Sequence, residues 1–267
     1  QGRRPAQDAM SAALLRGAGA IIIGKTVTTE FALTGARATT NPHNEKHTPG
    51  GSSSGSAAAI ADFMIPLSVG SQTGGSMIRP ASYCGVYGFK PSFGLVSRRG
   101  VFLLARTLDH LGVYGRSLED LALIFEQIAK YDPSDFDMIS KPAPRILKNH
   151  LIETSGFIPK IAFVRGPAWS SADTYLETLF ESYVNKLAGH VVEVELAGIF
   201  DNAIEAHTVI MRANLWHNLS KFREQSGSLL LAETVKRIDE SKFISSQDYI
   251  KAIELTKKQG GRVIAVG

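Results

Sequence analysis

The chain has 267 residues, 44% of them hydrophobic, enough for a sizeable core in one large domain or two small ones. Its 29 Lys and Arg against 25 Asp and Glu leave a net charge of +4 with no basic run, which argues against a nucleic-acid partner. No apolar run approaches the length of a membrane span and no signal peptide is visible, although a start at Gln1 leaves the true beginning open; the single cysteine, Cys84, excludes an internal disulfide and suits a cytoplasmic setting.

In chain order, residues 6–15 read as a helix with Met10, Ala13 and Leu14 on one face. Gly19-Ala20-Ile21-Ile22-Ile23-Gly24 reads as a fully buried strand, and Glu30-Phe31-Ala32-Leu33 as a short helical turn. Gly19 through Lys25-Thr26 also satisfies the P-loop pattern. A phosphate cradle needs a strand before its first glycine and a pliant loop after it. Here a helix precedes and three stiff isoleucines fill the loop, so nucleotide binding is not expected and Lys25 is read as an exposed residue at a strand end. Residues 39–49 form a polar connection. His43 and His47 stand four apart, a ligand spacing only on a helix, and Pro42 and Pro49 argue against one, so no metal site is implied.

Two Gly/Ser clusters follow, Pro49-Gly50-Gly51-Ser52-Ser53-Ser54-Gly55-Ser56 and Gly74-Gly75-Ser76. Such clusters are most often flexible loops. The filling between them argues otherwise, because Ala57 to Ala61 with Phe63-Met64-Ile65 reads as a buried helix leading into a short strand, Ile65 to Val69. Loops held by core at both ends suit a site on a rigid scaffold. Glycine lets the backbone approach closely and turn its N–H groups inward, and a serine beside such donors is the minimum for acyl transfer.

Beyond Pro91, Leu111 to Tyr114 reads as a strand. Ser117 with Asp120 reads as a capping box opening a helix with Leu118, Leu121, Ala122, Ile124, Phe125 and Ile128 on its apolar face. Asp109 and His110 tempt toward a triad with Ser76, but adjacent residues orient one another poorly for that task and are read as structural. Residues 131–144 form a surface connection, 159–164 a strand, 173–187 an amphipathic helix and 191–196 a strand near a sheet edge. From Phe200 to Ile253 the chain is mostly helical, with Trp216 and Phe222 as packing anchors or, alternatively, lining for an acyl pocket. Strands alternating with helices predict α/β layers over a mixed sheet.

The run Gly50-Gly51-Ser52-Ser53, Gly55, Gly70, Gly74-Gly75-Ser76, Pro80, Cys84-Gly85 and Gly88-Phe89-Lys90-Pro91 resembles the amidase signature family, including the 24 positions from Ser52 to Ser76. The resemblance is closest over residues 8–123. It implies a single three-layer α/β/α domain over residues 1–267 around a large mixed sheet, and an amidase that cleaves a carboxamide C–N bond through a serine acyl-enzyme. It implies Ser76 as nucleophile, Ser52 as the relay serine after a cis peptide bond, and backbone donors at Thr73, Gly74, Gly75 and Ser76 for the oxyanion. A small-molecule amide is the implied partner, with no cofactor, no nucleic acid and no membrane, and with a homodimer left open. The family's third triad member, a neutral lysine, belongs upstream of Gln1, and the family's C-terminal portion also lies outside the sequence. The expectation is therefore that these 267 residues alone do not turn over amides. Gln72 stands where the family usually has an acid, and Arg79 comes three after Ser76, not two. The alternatives are one subunit of a tRNA-dependent amidotransferase, or a catalytically incomplete binding protein on the same scaffold.

Overall fold

A computed structural model describes residues 5–33, 35, 38–141, 145–146, 160–187, 189–196 and 198–259. In chain order the helices are α1 (Met10–Gly17), α2 (Ser54–Ala61), α3 (Ile78–Cys84), α4 (Leu118–Ile128), α5 (Thr174–Lys186), α6 (Ala203–Ser226), α7 (Ala232–Glu240) and α8 (Ser246–Lys258). The strands are β1 (Ser68–Gln72), β2 (Tyr87–Phe89), β3 (His110–Gly115), β4 (Ile161–Phe163) and β5 (Val191–Glu193). The α/β class expected from the sequence is present. Among the described residues the sheet expected to be large and mixed takes two parts, a three-stranded antiparallel sheet in the order β1-β3-β2 and a two-stranded parallel sheet β4-β5. The latter pair is joined through α5, the helical crossover that parallel neighbours require.

The first sheet is the platform for the site. β3 lies in its middle with Leu111, Val113 and Tyr114 buried, and one face packs on Leu121, Ile124, Phe125 and Ile128 of α4. α4 begins where the sequence predicts, because Ser117 Oγ accepts the Asp120 N–H at 3.0 Å, although Asp120 reaches back to the Arg116 N–H and not to that of Ser117. The other face carries α2 and α3, with Ala57, Ile60, Met77, Cys84 and Tyr114 in one apolar cluster. Cys84 is part of that packing, and burial pushes its thiol pKa up to about 11, so it stays protonated.

Several expectations are corrected. The segment 19–24 is not a buried strand: Gly19 at φ +85° closes the end of α1, and Ile21 and Ile23 are 86% and 78% exposed with no strand beside them among the described residues. β-branched residues favour extended backbone, but they do not determine what covers it. The helix through Ala57 stops at Ala61, and Phe63 turns outward at φ +58° and 75% exposure, with the Arg116 guanidinium 4.7 Å from its ring centre. Arg116 also donates to the Ile60 and Ile65 carbonyls, and Pro66 has no N–H to give, so the following strand starts at Ser68 and not at Ile65. Leu118 is 64% exposed, outside the buried face of α4. α5 matches its predicted span and is capped by Asp173, yet it buries no side chain among the described residues. The strand expected over 159–164 is observed as β4, with Pro159 outside the described residues, and 191–196 pairs only as far as Glu193.

The connection after α4, described as far as Lys141, is tied down by charge. Arg98, 5% exposed at its side chain, is held by Asp137 at 2.5 Å and donates to the Asp109 carbonyl at 3.1 Å and to the Arg106 carbonyl, while Asp135 accepts its backbone N–H at 2.7 Å. Arg99 pairs with the buried Asp132 at 2.8 Å. Asp137 also pairs with Arg106 at 2.8 Å and would keep that partner, but loss of the Arg98 guanidinium strands the Arg106 and Asp109 carbonyls it holds and breaks up the buried charge network. Replacing Arg98 by Met is therefore expected to cost about 3–5 kcal/mol, measured as the shift in urea midpoint at unchanged slope; a loss under about 1 kcal/mol would show that this network behaves as a surface pair.

Candidate active site

The loop 50–53 sits on the start of α3. A side chain at Gly50 would put its Cβ 2.9 Å from the Pro80 Cα, and the φ there is +76°, so only glycine fits. The Gly51–Ser52 peptide is cis, as the resemblance implies. The Ser52 carbonyl is held three ways, by Thr28 Oγ1 at 2.9 Å, the Thr29 N–H at 3.0 Å and Ser54 Oγ at 3.3 Å, and Arg79 donates to the Gly51 carbonyl at 3.2 Å. Ser52 itself is 1% exposed, yet its Oγ has no hydrogen-bond partner among the described residues, and neither has Thr29 Oγ1. A buried hydroxyl left unpaired costs about 1–3 kcal/mol and calls for an explanation.

Its neighbours are used differently. Ser53 Oγ donates to the Ser71 carbonyl at 3.3 Å and accepts the Ser71 N–H at 3.2 Å, and Ser56 Oγ donates to the Val69 carbonyl at 2.9 Å. These serines bind α2 to β1. Of the run 52–56, Ser52 alone has a hydroxyl without a hydrogen-bond partner among the described residues.

β1 ends at Gln72, and Thr73-Gly74-Gly75-Ser76 leads into α3. Gln72 Oε1 accepts the Met77 N–H at 2.7 Å and the Ile78 N–H at 3.2 Å, while its Nε2 is unpartnered among the described residues. Ser76 is buried, and its carbonyl accepts from Tyr114 Oη at 3.2 Å and from the Ser53 N–H at 3.4 Å. Burial raises the Tyr114 pKa, which keeps that hydroxyl a donor. The two catalytic candidates thus lie on loops clasped backbone to backbone. No hydrogen bond joins Ser52 Oγ to Ser76 Oγ, and such bonds commonly tighten only in the substrate complex.

Thr73 is fixed at both ends. Its hydroxyl donates to Asp109 Oδ1 at 2.5 Å, and its carbonyl accepts from His207 Nε2 on α6 at 3.1 Å. Asp109 is buried, which pushes its pKa up against the Thr73 hydroxyl and the Leu104 and Ala105 N–H groups that its carboxylate accepts at 2.5, 2.6 and 3.0 Å. His110 is neutral: burial, with Lys90 nearby, lowers its pKa to about 4, and Nδ1 donates to the Leu108 carbonyl at 2.6 Å. Neither residue bonds to Ser76 Oγ, so the tempting triad is absent and both brace the loops. His43 Nε2 donates to the Cys84 carbonyl at 2.9 Å. Among the described residues no three His, Cys, Asp or Glu side chains are grouped to hold a metal ion.

Beside Thr28, Ser71 and Thr73 opens a cavity of about 440 Å³ whose far wall is Phe31, Phe102 and Phe222. The three rings stand 5.4 to 6.2 Å apart between centres. Phe222 therefore lines a pocket, whereas Trp216 packs against the core of Leu104, Leu215, Leu219 and Ile238.

The sequence profile of the family described as Amidase matches residues 1–260. The chain belongs to the amidase family. This amidase-family chain is 48% identical over 141 residues to the A subunit of the Glutamyl-tRNA(Gln) amidotransferase of Deinococcus radiodurans, covering 51% of this chain and 29% of that protein. It is 35% identical over 226 residues to the corresponding protein of Agathobacter rectalis, covering 82% of this chain and 44% of that protein. The chain thus spans less than half the length of these relatives. Among solved structures it superposes on a protein described as part of a vestigial complex revealing the origins of an s-triazine catabolic enzyme, with a TM-score of 0.89, 27% identity and coverage of 98% of this chain and 58% of that one. It superposes likewise on the native peptide amidase of Stenotrophomonas maltophilia, with a TM-score of 0.74, 26% identity and coverage of 97% and 60%. The amidase-signature fold is thereby shown.

Within this amidase-family site, sequence reading missed Thr28, Thr29, Arg98 and His207. Each reaches the site by a contact between segments distant along the chain, and no local spacing announces it. Among the described residues no helix is long and apolar enough to cross a membrane.

Proposed function

We propose that the protein hydrolyses a carboxamide C–N bond through an acyl-enzyme on Ser76, with Ser52 as proton relay. The observation that carries this reading is the buried Ser52 hydroxyl, unpartnered among the described residues, on a loop clasped to that of Ser76. Ser76 Oγ attacks the amide carbonyl carbon while its proton passes to Ser52 Oγ, which gives up its own to a base. The N–H groups of residues 73–76 receive the oxyanion, each such donor being worth about 3–4 kcal/mol. Collapse breaks the C–N bond, Ser52 returns a proton to the departing amine, and water then cleaves the ester. The base is the neutral lysine that the resemblance implies; among the described residues no lysine reaches Ser52.

The cavity supports an apolar acyl group of neutral charge. Its aromatic wall offers no counter-ion, and the two charged groups in its lining are already engaged, the Arg98 guanidinium by Asp137 and the Asp109 carboxylate by the Thr73 hydroxyl and the Leu104 and Ala105 N–H groups. Ammonia release from a panel of primary carboxamides tests this in the intact protein. Aryl and branched alkyl acyl groups are expected to exceed acidic or basic ones in kcat/KM by at least about tenfold; no ammonia from any carboxamide, or a preference for charged acyl groups, contradicts the reading.

A second reading has its own support. Identity of 35–48% to the amidotransferase relatives favours a protein that works with partner chains and passes ammonia onward. Co-purification of the intact protein with partner chains and glutamine-dependent ammonia release would favour it over the stand-alone hydrolase.

A further inference from the structure

Two glycines at 74 and 75 leave the donor loop with a backbone that does not hold its own peptide planes. Something outside the loop must orient them. The Thr73 carbonyl points at His207, whose Nε2 lies 3.1 Å away on α6, 134 residues further along the chain. A carbonyl can only accept, so the proton sits on Nε2, and this holds for the neutral and the charged ring alike. In a trans peptide the C=O and the following N–H point in opposite directions. Turning the Thr73 carbonyl toward α6 therefore turns the Gly74 N–H away from it. The imidazole also covers Gly74 itself: a Cβ added there would lie 3.5 Å from His207 Cε1. At the other end the Thr73 hydroxyl is fastened to Asp109 at 2.5 Å. α6 is in turn seated by Ala206 and Ile210 in the cluster that holds Ala105 and Leu108, the stretch from which Asp109 projects.

We propose that His207 is a positioning residue for acyl transfer: its Nε2–H fixes the Thr73–Gly74 peptide so that the Gly74 N–H is preset for the oxyanion formed by Ser76 attack. The inference rests on the proposed role of Ser76 and adds a residue from outside the signature stretch. The experiment compares His207→Phe and His207→Gln in the intact protein, with Ser76→Ala as control, reading kcat and KM separately beside the melting temperature. Phe keeps the bulk but not the donor and is expected to lower kcat about 10–100-fold with KM changed less than about twofold. Gln can present a donor at the position of Nε2 and is expected to hold kcat within about threefold of the parent. Should the Phe variant fold poorly, His207→Asn carries the same test, because its amide is too short to reach Thr73. Unchanged kcat in Phe or Asn overturns the proposal, as does equal loss in Gln and Phe. A Ser76→Ala variant that still turns over amide overturns the underlying reading; loss in Ser76→Ala with full activity in His207→Phe overturns only the role of His207.

Discussion

Replacing Ser76 by alanine is expected to remove turnover almost completely, with kcat falling about 10⁶-fold. The residue supplies the atom that bonds to the acyl carbon, and the other hydroxyl of the loop, that of Thr73, is fastened to Asp109. What survives is binding and the oxyanion donors, which alone retain a small advantage over water. The fold is expected to survive as well. The structural contacts of Ser76 run through its carbonyl, to Tyr114 and Ser53, and alanine keeps that carbonyl. A melting curve within about 0.5 kcal/mol of the parent would accompany the lost activity. Activity within about tenfold of the parent would remove Ser76 from the reaction.

The second large effect is on Ser52. Substitution by alanine is expected to lower kcat by about 10²–10⁴, the usual worth of a positioned proton-transfer group. Both halves of the cycle suffer, since the same hydroxyl takes the proton of Ser76 and returns one to the amine. Stability should hold or rise, because the deleted Oγ is buried and makes no hydrogen bond among the described residues. Ser53→Ala gives the opposite pattern. Its Oγ holds the Ser71 backbone through two hydrogen bonds, so about 1–2 kcal/mol of stability should go while chemistry persists. Kinetics and urea denaturation of the pair separate the roles, and an unchanged rate in Ser52→Ala with a collapsed rate in Ser53→Ala would move the relay by one residue.

The parts legible in the sequence are those whose cause is local. Ser117 caps α4 because a hydroxyl three residues before an exposed N–H is a short-range device. The Gly-Gly-Ser loops are legible because glycine is needed where Gly50 meets Pro80. The parts that escape depend on distant partners. Ile21 to Ile23 are as apolar as any strand, but their neighbours decide whether they are covered. Phe63 reads as core in the sequence, whereas Arg116, 53 positions later, lies over its ring at the surface. Gln72 shows a milder case: the sequence marks the side chain as a departure, while its use as an acceptor for two N–H groups of the next helix emerges only in three dimensions. The brace on Thr73 joins residues 73, 109 and 207, and no window along the chain contains all three.

A fluorophosphonate reacted with the intact protein and mapped by peptide mass spectrometry identifies the nucleophile. A single adduct on Ser76 is expected, formed much more slowly in Ser52→Ala and not at all in Ser76→Ala. An adduct on another serine, or labelling that persists without Ser76, would contradict it.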